Sequence, residues 1–108
     1  MNYYKPLPYY ITIKQSKIEG LGLFSTQQIP AGTDLGMTHV YDDRFQDCLI
    51  RLPLGGFFNH SEEPNCVIEE RWYDERKYPI HHLKLITKQD IQPGEELTAK
   101  YTLYNPTK

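Results

Sequence analysis

Turn-forming residues interrupt this chain so often that little sequence is left for a helix of ordinary length. Seven glycines and eight prolines are spread over 108 residues, and the stretches between them are short and rich in β-branched and aromatic residues. Tyr10-Ile11-Thr12-Ile13-Lys14 alternates polar and apolar positions and reads as a first strand. Residues 66–87 read as a β-hairpin, Val67 to Tyr73 and Ile80 to Ile86, with a mobile charged tip at Asp74 to Pro79. Residues 96–101 read as a closing strand. The pattern predicts a mostly-β single domain with at most one or two short helices. The one helical candidate is residues 42–54, where Phe45, Leu49 and Leu52 are spaced for a short helix or turn that Pro53 would stop.

One turn is echoed. Ile29-Pro30-Ala31-Gly32-Thr33-Asp34-Leu35 and Ile91-Gln92-Pro93-Gly94-Glu95-Glu96-Leu97 share the form Ile-x-x-Gly-x-x-Leu with a proline inside, so two similar corners are expected. Only the turn is read as repeated, which is not a solenoid pattern. Residues 1–9, with Pro6 and Pro8, form an extended amino-terminal arm, and residues 10–108 form the domain.

The length suffices for one adequate core. Nine tyrosines within a hydrophobic content of 39% bring polar ring edges into the core or a pocket. A net charge of −2 argues against direct nucleic-acid binding and allows a cationic partner. Cys48 and Cys66 are far apart, which fits neither a zinc ribbon nor a disulfide framework. His39, His60, His81 and His82 complete no ligand set with them, and no metal is expected. No apolar run resembles a signal peptide or a bilayer span, so no membrane association and an intracellular protein, cytoplasmic or nuclear rather than secreted, are expected.

Chemistry concentrates in residues 55–66, Gly-Gly-Phe-Phe-Asn-His-Ser-Glu-Glu-Pro-Asn-Cys. The glycines allow close backbone approach, the phenylalanines supply apolar walls, and Asn59-His60-Ser61 packs three hydrogen-bonding side chains together. Taken alone this is a polar turn or a site. Gly20-Leu21-Gly22 lacks the third glycine and the helix of a dinucleotide fingerprint and, taken alone, is a bulge or tight turn.

Three pieces in order, Gly20-Leu21-Gly22-Leu23-Phe24, Asn59-His60-Ser61-x-x-Pro64-Asn65-Cys66 and Gly94-Glu95-Glu96-Leu97-Thr98-x-x-Tyr101, resemble the signature of SET-domain lysine methyltransferases. The resemblance implies a β-clip fold of several small sheets with a C-terminal pseudoknot. It implies S-adenosylmethionine as cofactor, cradled by Gly20, Leu21 and Gly22 and bonded by Asn59 and His60, with Tyr101 at the cofactor as the catalytic tyrosine. Tyr104 matches a second family tyrosine that relatives often carry two residues after the first, here three. Ile68 stands where relatives often have an aromatic channel residue. Glu62 replaces the cysteine that zinc-bearing relatives place after Asn-His-Ser, and no cysteine follows Cys66, so the chain is similar to minimal viral and bacterial SET proteins.

The implied function is transfer of a methyl group to a lysine amine of a protein substrate. Tyr101 would orient the amine rather than act as general base, since an unperturbed tyrosine loses its proton only near pH ~10. Glu62, Glu63, Glu69, Glu70, Glu95 and Glu96 are either a solvated face or a field steering a histone-like basic tail. The missing helical insert suggests a homodimer that completes the substrate groove. The rival reading is a non-catalytic module of the same fold that binds a peptide or small ligand, against which Tyr101 and the Asn59-His60 pair count.

Overall fold

A computed structural model describes residues 7–42, 44, 49–71 and 81–100. The elements follow in the order β1 (Ile11–Gln15), β2 (Leu21–Ser25), β3 (Asp34–Tyr41), β4 (Leu49–Arg51), α1 (Pro53–Phe57), β5 (Asn59–His60), β6 (Cys66–Arg71), β7 (His82–Thr87) and β8 (Glu96–Ala99). They form two four-stranded sheets, ordered β1-β2-β8-β5 and β4-β3-β7-β6. The expected mostly-β architecture of small sheets is therefore present. The tip at Asp74 to Pro79, the start of the arm, Phe45 and Cys48 lie outside the described residues.

The core is a cluster that includes Leu23, Ile29, Leu35, Leu54, Ile91 and Leu97, with Leu7 and Tyr10 packed against it. β7 is nearly all buried, Lys84 included. A buried ammonium is tolerable only when paired, and Lys84 Nζ donates to Asp34 Oδ2 at 2.5 Å.

The echo extends well beyond one turn. Ile29 and Ile91 exchange backbone hydrogen bonds, Ile29 N–H to Ile91 O at 2.9 Å and Ile91 N–H to Ile29 O at 2.8 Å. Gly32 and Gly94 have φ of 81° and 83°, which explains glycine at both corners. Gly32 N–H donates to Thr87 O and Gly94 N–H to Ser25 O. The Thr87 hydroxyl donates to Pro30 O and the Ser25 hydroxyl to Gln92 O. Before the corners, Leu21, Leu23 and Gln27 match Leu83, Leu85 and Gln89 at the same offset. Residues 21–35 and 83–97 are thus two copies of one strand-corner-strand unit. Their strands are exchanged, since β2 pairs with β8 while β7 pairs with β3, both antiparallel.

The short helix differs from expectation. Leu49–Arg51 is a strand against β3, and Pro53 begins the helix rather than ending one. Proline lacks the N–H that a first helical turn leaves unpaired anyway, so it is well suited there. Gly55 sits where a Cβ would overlap the Thr38 carbonyl. The close approach expected of this glycine is therefore between α1 and β3, and it delivers the chain into β5.

Candidate active site

The three motifs meet at one carboxylate. β2 and β8 are registered so that Phe24 faces Glu96 and Leu23 faces Leu97, while β5 runs parallel to β8 with Asn59 opposite Thr98. Glu96 Oε2 accepts from Asn59 Nδ2 at 2.8 Å. The Ser16 hydroxyl lies 2.9 Å from Oε1 and 2.8 Å from Oε2 of the same carboxylate. Asn59 Nδ2 also shares its two hydrogens with Ser16 Oγ at 3.0 Å, Glu19 O at 3.1 Å and Leu21 O at 3.4 Å. One buried amide thereby ties the 16–21 loop to β8.

Gly22 completes the junction, because a Cβ there would overlap the Glu96 carboxylate. The sequence reading gave this glycine a ligand-clearing role; its lack of a side chain first makes room for Glu96. Gly20 differs: it has φ 48° and open space where a Cβ would stand. Leu21, between them, is 52% exposed.

The internal repeat explains why the junction is polar yet uncharged on one side. At the shared offset, Gly22 corresponds to Lys84 and Glu96 to Asp34. In one copy the carboxylate is matched by an ammonium. In the other, glycine replaces the lysine, and the described donors to Glu96 are the neutral Ser16 and Asn59.

A second layer holds the loop after Asn59. The side chain of Asn65 is buried, and its Nδ2 donates to Glu96 O at 2.8 Å and to Glu95 Oε2 at 3.0 Å. Its Oδ1 accepts from Thr98 N–H at 2.8 Å. Together with the Ser61 N–H to Ala99 O bond, these contacts set β8 between β5 and the Asn65 loop; residues 101–108, the end of the expected pseudoknot, lie outside the described residues.

His60 is only partly buried, and its Nε2 lies 3.1 Å from Glu62 Oε1; Lys100 Nζ lies 3.2 Å from Glu62 Oε2. The hydrogen bond to His60, and then that from Lys100 and its charge, hold the Glu62 carboxyl below its usual range. Glu62 thus links His60 to Lys100, the last described residue before Tyr101. Tyr101 and Tyr104 themselves lie outside the described residues.

A cavity of about 220 Å³ opens beside this loop, lined by Pro64, Cys66, Val67, Ile68 and Lys100. Burial, and secondarily the Glu95 charge, push the Cys66 thiol up to about 12, so it serves as a neutral wall group. The acidic stretch is largely engaged: Glu69 pairs with Arg71, Glu70 with His81 and Glu62 with Lys100. Among the described residues no group of three or more His, Cys, Asp or Glu side chains is placed to hold a metal ion. No helix among them is long and apolar enough to cross a membrane.

Sequence reasoning missed Ser16 and the inward role of Glu96. Glu96 carried a signal, as the second acid of Gly94-Glu95-Glu96-Leu97 at the register where the other copy has Asp34. Ser16, 80 residues away from its acceptor, carried none.

Comparison with known proteins identifies the family. The SET domain family matches residues 37–102, which include the Asn59 and Glu96 motifs. A Cryptococcus neoformans histone-lysine N-methyltransferase, H3 lysine-36 specific, is 31% identical over 75 residues, covering 65% of this chain and 8% of that protein. An Aspergillus oryzae protein of the same description is 34% identical over 73 residues, 63% of this chain and 7% of its own length. The chain thus spans less than a tenth of these relatives. The fold is similar to the crystal structure of a Plasmodium falciparum candidate histone methyltransferase, with a TM-score of 0.68 at 21% identity, covering 85% of this chain and 96% of that one. It is also similar to a humanized mutant of the Chaetomium thermophilum Polycomb Repressive Complex 2, with a TM-score of 0.66 at 19% identity over 85% of this chain and 15% of that one. With the Gly20–Gly22 loop, the Asn59 motif and the Glu96 motif joined at one carboxylate, and the family match spanning more than half its length, the chain belongs to the SET domain family.

Proposed function

We propose that this chain is a protein-lysine N-methyltransferase that uses S-adenosylmethionine. The observation that carries the reading is the Glu96 carboxylate, met by Gly22, Asn59 and Ser16 and supplied among the described residues with neutral donors only. Its unmatched charge favours a cationic ligand end nearby. The residues fit the cofactor: Gly20 presents open backbone, Leu21 an exposed apolar side chain and His60 a partly exposed ring. Bound S-adenosylmethionine supplies an electrophilic methyl group on a sulfonium, open to in-line displacement by an amine.

The chain's own residues prepare that amine. A free lysine is protonated below pH ~10.4 and has no lone pair to offer. Val67, Ile68 and the neutral Cys66 thiol line the cavity, and desolvation there favours the uncharged amine. Tyr101 follows Lys100 directly; the reading gives its hydroxyl the task of orienting the amine, and Tyr104 a supporting one. Positioning of this kind supplies most of the rate enhancement when no covalent intermediate forms.

The substrate is read as a protein with an exposed lysine in a basic, histone-like tail, supported by the H3 lysine-36 description of two relatives, and the compartment as nuclear on the same ground. A twofold homodimer completes the groove in this reading, supported by the single five-residue helix among the described residues. Calorimetry with S-adenosylmethionine is the test: saturable one-site heat is expected. A folded protein that gives none is a non-catalytic module.

A further inference from the structure

A second cavity borders the start of β1 and the corner between β2 and β3, and shares no described lining residue with the one at Val67 and Ile68. It measures about 140 Å³ and is lined by Tyr9, Tyr10, Gln28, Pro30 and Thr33 among others, with no basic side chain among the described lining residues. Its walls are two tyrosine rings set nearly at right angles, 89° apart with centroids separated by 5.2 Å. Tyr10 is fixed, packed against the core with its carbonyl accepting from Thr26 N–H at 2.9 Å. Tyr9 is 75% exposed, so its ring is accessible to a ligand from solvent.

The electrostatics suit a cation. In an edge-to-face pair the ring that presents its edge keeps its own faces free, and a free face, carrying the negative lobe of the ring quadrupole, attracts a cation. Asp34 lies close enough to Tyr10 that its charge, after burial and Tyr9, helps push the Tyr10 hydroxyl up. Lys84 matches one oxygen of that carboxylate from the buried side. The volume holds roughly four or five water-sized groups, the size of a methylated ammonium head and its adjoining methylene. A bare ammonium is strongly hydrated and gains little from such a corner, whereas methyl groups spread the charge over an apolar surface that the rings can cover.

We propose that the Tyr9–Tyr10 corner is a binding site for the trimethylated lysine side chain of a protein tail, distinct from the methyl-transfer site. Its occupant is the chemical class that the proposed reaction produces, so its use in retaining or recognising modified substrate rests on that reading. The binding itself does not, and needs no cofactor.

The test is NMR titration of the protein without cofactor, following the Tyr9 and Tyr10 ring protons and the Val67 and Ile68 methyls. The probes are a basic peptide bearing trimethyl-lysine, the same peptide unmodified, the same peptide with a neutral tert-butyl isostere, and tetramethylammonium chloride. Expected is a shift of the tyrosine rings by the trimethylated peptide, tighter than for either other peptide by at least about threefold, the lower range of a cation–aromatic contact. Tetramethylammonium alone shifts the same rings more weakly. Tyr9→Leu, which keeps apolar bulk at an exposed position, abolishes the preference, and Tyr9→Phe retains it. Equal binding of the isostere overturns the proposal, as does a response confined to Val67 and Ile68 or to free tetramethylammonium. Because cofactor heat is measured separately, loss of the methyltransferase reading leaves this result interpretable.

Discussion

Asn59 Nδ2 lies 2.8 Å from Glu96 Oε2, joining two motifs 37 residues apart in the chain. Asn59 is therefore a structural pin as well as a candidate ligand contact. Asn59→Ala leaves the Glu96 carboxylate and the Glu19 and Leu21 carbonyls without this donor, and is expected to cost about 1–3 kcal/mol of folding stability. Asn59→Asp sets a second carboxylate against Glu96 and is expected to cost more than Asn59→Ala. Urea denaturation of the three proteins ranks them; an Asn59→Ala protein as stable as the parent would contradict the pin.

Gly22 and Gly20 should respond differently to alanine. At Gly22 the new methyl meets Glu96, an overpacking expected to cost about 1–3 kcal/mol. At Gly20 the space is open, and only the left-handed backbone is strained, about 1–2 kcal/mol. The discriminating measurement is a double-mutant cycle: the Gly22→Ala penalty should shrink in a Glu96→Ala background, while the Gly20→Ala penalty should persist. Equal behaviour of both glycines would show that Glu96 does not occupy the Gly22 side.

Cys66 gives a pH dependence with a definite sign. Its folded-state value is raised to about 12 from an ordinary 9.0, chiefly by burial. The thiol's contribution is therefore intact below the ordinary value and is lost as pH rises toward the folded one. Stability should fall as pH rises through about 9.0 toward 12, with a slope of up to ~1.4 kcal/mol per unit. In a Cys48→Ser background, urea midpoints from pH 8 to 10.5 should decline more steeply with Cys66 present than in Cys66→Ala. Rapid reaction of Cys66 with a thiol reagent at neutral pH in the folded protein would oppose this picture.

Local signals were read with most success where the physics is local. The β1 strand, the β6–β7 hairpin and the two glycine corners follow from alternation and from backbone regions that glycine favours. Pro53 was misread because proline both ends helices and begins them, and only the pairing of Leu49–Arg51 with β3 decides which. The repeat was seen as one turn because its flanking matches at Leu21, Leu23 and Gln27 are ordinary residues; exchange of hydrogen bonds between Ile29 and Ile91 makes them equivalent. The Asn59 motif was identified, but the direction of its amide was not, since its acceptors on Ser16, Glu19 and Leu21 come from a distant loop.

The most direct test of the methyltransferase account is single-turnover transfer from labelled S-adenosylmethionine to a basic lysine peptide by the parent protein and by Tyr101→Phe, with cofactor affinity measured in parallel. The account predicts label on the lysine side chain with the parent. It predicts transfer slowed roughly 100-fold or more when one preorganised polar contact is lost, at near-normal cofactor affinity. Transfer by Tyr101→Phe at the parent's rate would remove Tyr101 from the mechanism, and a folded parent that neither binds the cofactor nor labels the peptide would contradict the account.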